Sequence, residues 1–154
     1  MIKKIVLWIL VVFWMGLIFY FSSFKGDEST EQSQGFLYNT IGNIVEFFNK
    51  DISVEEKELI IEKYDPIVRK VAHACVYMIL AFLVCLLINC YNDKINKVIV
   101  LSLIFCIIYA ISDEVHQTFV EGRNGEVRDV LIDSIGIIVS NIGFYLRRKN
   151  ENSK

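Results

Sequence analysis

The stretch VIVLSLIFCIIYAISDEVHQTF, residues 98–119, decides the fold. Residues 98–112 carry no charged side chain, and Asp113, Glu114 and His116 then crowd into the last turns. At about 1.5 Å per helical residue such a run crosses the roughly 30 Å hydrocarbon core of a bilayer, and its ionisable groups gather at one end. In lipid the backbone must satisfy its own hydrogen bonds, so the run is a helix.

Three more runs of this kind lie around it. With Val98 to Phe119, the runs Ile5 to Phe24, Pro66 to Cys90 and Val127 to Leu146 make four predicted spans. The 154 residues are 54% hydrophobic, and the mean hydropathy is +0.44, more apolar than one soluble core requires. The expected fold class is all-α: an integral membrane four-helix bundle forming one domain over 1–154. Lys3 and Lys4 before the first run imitate a secretory signal. That run is too long for a signal core, however, and Phe21-Ser22-Ser23-Phe24 is no small-residue cleavage site, so it is expected to stay as a span.

Charge sets the expected orientation. With both termini in the cytoplasm, the inner segments hold eight basic residues (Lys3, Lys4, Lys94, Lys97, Arg147, Arg148, Lys149, Lys154) against Asp93 and Glu151. The outer side then holds the other eight basic and sixteen acidic residues of the chain. This is the asymmetry of a protein with positive inner loops. No basic face suited to nucleic acid is present. Cys75, Cys85, Cys90 and Cys106 lie in or beside the second and third spans without metal-like spacing and read as packing residues.

About 40 residues separate the first two spans, enough for structure of their own. Leu37, Ile41, Ile44, Val45 and Phe48 recur at helical spacing and predict an amphipathic helix, either an interfacial belt or a lid. Ser53 and Glu56 have the spacing of a capping box ahead of a charged helix reaching Tyr64. Asp65-Pro66 reads as the cap and first turn of the second span.

Ionisable residues within spans are costly and tend to face the protein interior. Here they share one depth near the outer ends. Ser22 and Ser23 close the first span, and Arg69, Lys70, His73 and Tyr77 form a stripe on the second. Asp113, His116 and Gln117 align on the third, with Glu114 spaced to pair with Gln117. Asp129 and Asp133 align on the fourth, whose face continues through Gly136, Ser140 and Gly143 and so permits close helix approach. The turn Glu121-Gly122-Arg123-Asn124-Gly125 holds Arg123 over the cluster, and Arg128 follows it. Three readings are open. In the first the cluster is an ion-pair network, with Arg69 or Lys70 neutralising Asp113 or Asp133. In the second it binds an anionic or polar envelope ligand through Arg123, Arg128 and Lys70. In the third it is an enzymatic site in which His73, His116, Asp113, Glu114 and Asp133 supply acids, bases or metal ligands. The spacing defines no metal set and no cofactor.

Several of these residues stand in an order that resembles the VanZ-like membrane proteins. The matching motifs are Phe21-Ser22-Ser23, Arg69-Lys70-x-x-His73-x-x-x-Tyr77, Asp113-Glu114-x-His116-Gln117, Gly122-Arg123, and Arg128-Asp129-Val130-x-x-Asp133-x-x-Gly136. Phe24 replaces a glutamine often found after the serines, and Glu121 a proline common before the glycine. The resemblance implies association with low-level resistance to teicoplanin and related lipoglycopeptides in Gram-positive bacteria. It makes membrane lipid, a lipid-linked cell-wall precursor or the lipoglycopeptide itself the expected partner. The rival classes are a small transporter or proton-coupled carrier and a non-catalytic scaffold for wall-synthesis proteins. The inner halves of the spans, nearly free of ionisable groups, fit a one-sided pocket better than a carrier's continuous path.

Overall fold

A computed structural model describes residues 1–25, 34–40 and 53–151. Four long helices dominate: α1 (Ile2–Ser22), α2 (Val54–Asn89), α3 (Ile95–Gln117) and α4 (Val127–Glu151), with a short helical stretch at 34–40 and no strand among the described residues. Each long helix is long and apolar enough to cross a membrane. The expected all-α four-span bundle is what is observed. Of the expected amphipathic helix, residues 34–40 are helical, and Ile41, Ile44, Val45 and Phe48 lie outside the described residues.

The second span departs from expectation. No break separates the charged outer helix from the membrane run, and α2 continues through Pro66 for 36 residues, about 54 Å, well beyond the hydrocarbon thickness. The helix starts instead at the capping box. Ser53 Oγ accepts from Glu56 N at 3.1 Å, and Ser53 N donates to Glu56 Oε2 at 3.1 Å. A proline ring already has helical φ, but inside a helix it lacks the N–H that would bond the carbonyl four residues back, and its ring crowds that carbonyl. Asp65-Pro66 is nonetheless an interior feature, and Asp65 is buried.

α2 is the hub, touching all three other helices and α4 most extensively, whereas α1 and α4 do not meet. The core brings together Leu7, Val11 and Ile18 of α1, Tyr77, Leu80, Ala81 and Val84 of α2, Cys106 and Ala110 of α3, and Ile137 of α4. Cys85, Val98 and Phe144 form a second cluster. Large apolar side chains such as Val12, Phe13, Ile104, Ile108, Ile135 and Ile142 remain exposed, as expected of surfaces whose solvent is lipid. Interhelical polar bonds fix the register: Trp14 Nε1 donates to the Val76 carbonyl at 3.0 Å, Tyr109 OH to the Met15 carbonyl at 2.7 Å, and Cys85 Sγ to Asn141 Oδ1 at 3.3 Å.

The predicted small-residue face of α4 holds in part. Gly136 is buried so tightly that a Cβ there would collide with the backbone of Ala74, which brings α2 and α4 together. Ser140 is buried beside it, but Gly143 is exposed and faces open space. Seven residues from Gly136, its position drifts off the contact stripe.

Candidate functional site

Above the Gly136–Ala74 contact, α2 and α4 separate around a cavity of about 240 Å³. Pro66, Arg69, Lys70 and His73 line it from α2, Glu114 and Gln117 from the end of α3, and Asp129, Ile132 and Asp133 from α4. Gly122, Arg123, Asn124 and Glu126 of the α3–α4 turn complete it. Gly122 has φ 76°, a left-handed conformation that glycine adopts without penalty, and it carries the chain over to Arg123.

Arg123 is tied directly to two helices. Its Nη1 donates to Gln117 Oε1 at 3.1 Å and to the Ser22 carbonyl, at the end of α1, at 3.4 Å. Gln117 Nε2 donates in turn to Asp113 Oδ2 at 3.3 Å, and the same oxygen accepts from Tyr77 OH at 3.1 Å. The chain of bonds runs from the turn through α3 into α2. Burial, and then the charge of Arg69, hold the Arg123 guanidinium below its ordinary pKa, with Asp113 and Glu114 opposing that shift.

The carboxylates are engaged in different ways. Glu114 Oε1 accepts from Glu126 N at 2.6 Å, so it bonds the backbone just ahead of α4 and places its charge at the positive end of that helix. The predicted Glu114–Gln117 partnership gives way to this bond, because Gln117 is held by Arg123 and Asp113. Lys70 Nζ lies 2.8 Å from Asp129 Oδ1, off the hydrogen-bonding direction, so the contact is Coulombic. Lys70 thus pairs with Asp129 rather than with Asp113 or Asp133. Asp133 is 3% exposed, lines the cavity, and its Oδ1 accepts no hydrogen bond.

Other residues singled out from the sequence sit elsewhere. Asp113 is buried behind the cavity on its bonds to Tyr77 and Gln117. His116 turns toward α1, its ring 4.2 Å from that of Phe19, and does not line the cavity. Arg128 is exposed and outside it. Ser22 and Ser23 also stay out: Ser23 Oγ donates back to the Phe19 carbonyl at 2.7 Å, and Ser22 contributes its backbone carbonyl. Pro66, Asn124, Glu126 and Ile132 line the cavity without having been singled out as site residues. Ile132, one position before Asp133, carried no chemical signal. Among the described residues no group of His, Cys, Asp and Glu is arranged to hold a metal ion.

Residues 7–148, nearly the whole chain, match the model of the VanZ/LLP1 family. No curated protein and no solved structure matches.

Proposed function

The chain belongs to the VanZ/LLP1 family, and on that premise we propose a multi-pass cell-envelope protein whose polar cavity faces outward and binds or modifies a membrane-borne or cell-wall component. Through that engagement it contributes to low-level glycopeptide and lipoglycopeptide resistance of the teicoplanin type. One observation carries the reading: the cavity and its charges lie at a single end of an otherwise apolar bundle. The excess of Lys and Arg in the short segments at the other end supports placing both termini in the cytoplasm and the cavity outside. There it would meet the compartment in which these drugs act on wall precursors.

A one-sided pocket is also favoured over a carrier's path by what lies beneath it. Below His73 and Asp133 come the Gly136–Ala74 contact and the buried side chains of Leu80, Ala81 and Ile137. The deciding experiment is lipoglycopeptide susceptibility of a bacterial host expressing wild type, Arg123→Ala or Asp133→Asn at matched membrane abundance. Wild type should raise resistance, and both variants should lose it. Variants that protect fully would reduce the cavity to a structural feature, and an inactive wild type would sink the resistance role.

A further inference from the structure

The charges around the cavity are layered. Arg69, Lys70 and Arg123 supply its cations, and Arg123 comes from the turn that precedes α4. Asp133 lies one helical turn below Asp129, about 6 Å deeper along α4. The other acids on this wall already have partners: Asp129 has Lys70, and Glu114 has the Glu126 amide. Asp133 Oδ1 has none, although the residue is only 3% exposed. An unmet buried acceptor is unfavourable, more so when charged, unless an occupant of the cavity supplies the donor. Immediately below, Gly136 rests on the Ala74 backbone, so no hydrocarbon chain can pass downward between α2 and α4 at that level. At about 240 Å³ the space falls under the roughly 300–1,000 Å³ of whole small-molecule sites and suits a headgroup alone.

Resting on the reading of this cavity as a ligand site, we propose that it takes a phosphate-bearing lipid headgroup inserted head first. The phosphate lies against Arg123 and Arg69, and a hydroxyl or ammonium donor a few bonds beyond it reaches Asp133. Planar guanidinium forks match phosphate oxygens, and the distal donor completes the empty acceptor at the base. A bare phosphomonoester would leave Asp133 unmet and bring added negative charge toward it. Asp133 is then the residue that selects phosphoethanolamine-type or phosphoglycerol-type headgroups. The acyl chains stay outside, leaving over the rim.

The test uses the full chain in neutral detergent with short-chain phosphatidylethanolamine, phosphatidylglycerol and phosphatidic acid, and with soluble glycerophosphoethanolamine as competitor. The first two should bind about tenfold more tightly than phosphatidic acid, a difference of about 1.4 kcal/mol. Asp133→Asn should bring all three within about twofold of one another, a residual difference of under about 0.5 kcal/mol. Should that variant fail to fold, the wild-type ranking decides alone. Phosphatidic acid binding as tightly as the others overturns the selection by Asp133 while leaving the cavity a ligand site. Soluble headgroup competing at the same concentration as the lipids overturns a lipid source, and competition only at far higher concentration supports it. If no phosphate compound binds, the ligand-site reading falls as well.

Discussion

Arg123 Nη1 donates to Gln117 Oε1 at 3.1 Å, and the other end of that amide donates to Asp113 Oδ2 at 3.3 Å. Gln117 thus joins a cation of the cavity to a carboxylate in the core. Gln117→Leu removes both bonds at nearly constant size and leaves Asp113 with Tyr77 alone. A lost bond to a buried charged group should lower stability by about 1.5–3 kcal/mol, read from unfolding in detergent. Because Arg123 loses its orienting acceptor, resistance should fall too. A variant with unchanged unfolding and full resistance would show that the chain of bonds carries no weight.

Gly136 and Gly143 were equivalent by spacing and differ in the structure. A methyl group at Gly136 meets the Ala74 backbone, which cannot yield as a flexible side chain would, whereas one at Gly143 meets nothing within 4 Å. Gly136→Ala should lower stability by about 1–3 kcal/mol through overpacking and widen the base of the cavity. Gly143→Ala should be neutral or slightly stabilising, because alanine is the better helix former. Melting of the two purified variants side by side settles the contrast.

The spans were legible because a bilayer imposes a length and an apolar composition on any helix that crosses it, and Val98 to Ser112 meets the second while the run to Phe119 meets the first. The depth of the site was legible for the complementary reason, since charges avoid the middle of such a helix. Direction around each helix was less so. Asp113, His116 and Gln117 occupy adjacent face positions by spacing, yet Asp113 and Gln117 turn inward while His116 turns to Phe19. Side chains three apart diverge enough to meet different neighbours once α1 packs beside them. Asp65-Pro66 misled because a proline in the first turn and a proline inside a helix leave the same local signature. The Glu114–Glu126 bond was invisible because its donor is a backbone amide, which no residue type announces.

His116 sets its ring against Phe19 between α1 and α3, outside the cavity lining. His116→Phe keeps a planar ring at that contact. Stability should change by less than about 1.5 kcal/mol, the range of volume-conserving swaps, and resistance should persist. His73→Phe, altering a side chain that lines the cavity, should abolish resistance at equal membrane abundance. Loss of resistance in the His116 variant with its melting unchanged would return that residue to the chemistry.

Lys25, just after α1, reaches Glu121 Oε2 at 2.6 Å across to the α3–α4 turn. The lysine holds the Glu121 carboxyl below its ordinary value of 4.5, through the hydrogen bond first and charge second. In the unfolded chain this glutamate titrates at the ordinary value. Whatever the pair contributes is therefore fully present above pH 4.5 and is lost as pH falls through the lowered folded value. Both side chains are largely open to water, 58% and 79%, so screening makes that contribution small. Glu121→Gln should melt with wild type at neutral pH in high salt. At low salt a slight deficit should appear and should close again below the lowered pKa. A large deficit surviving high salt would mean that the pair holds the α3–α4 turn, and with it Arg123, in place by something stronger than an exposed ion pair.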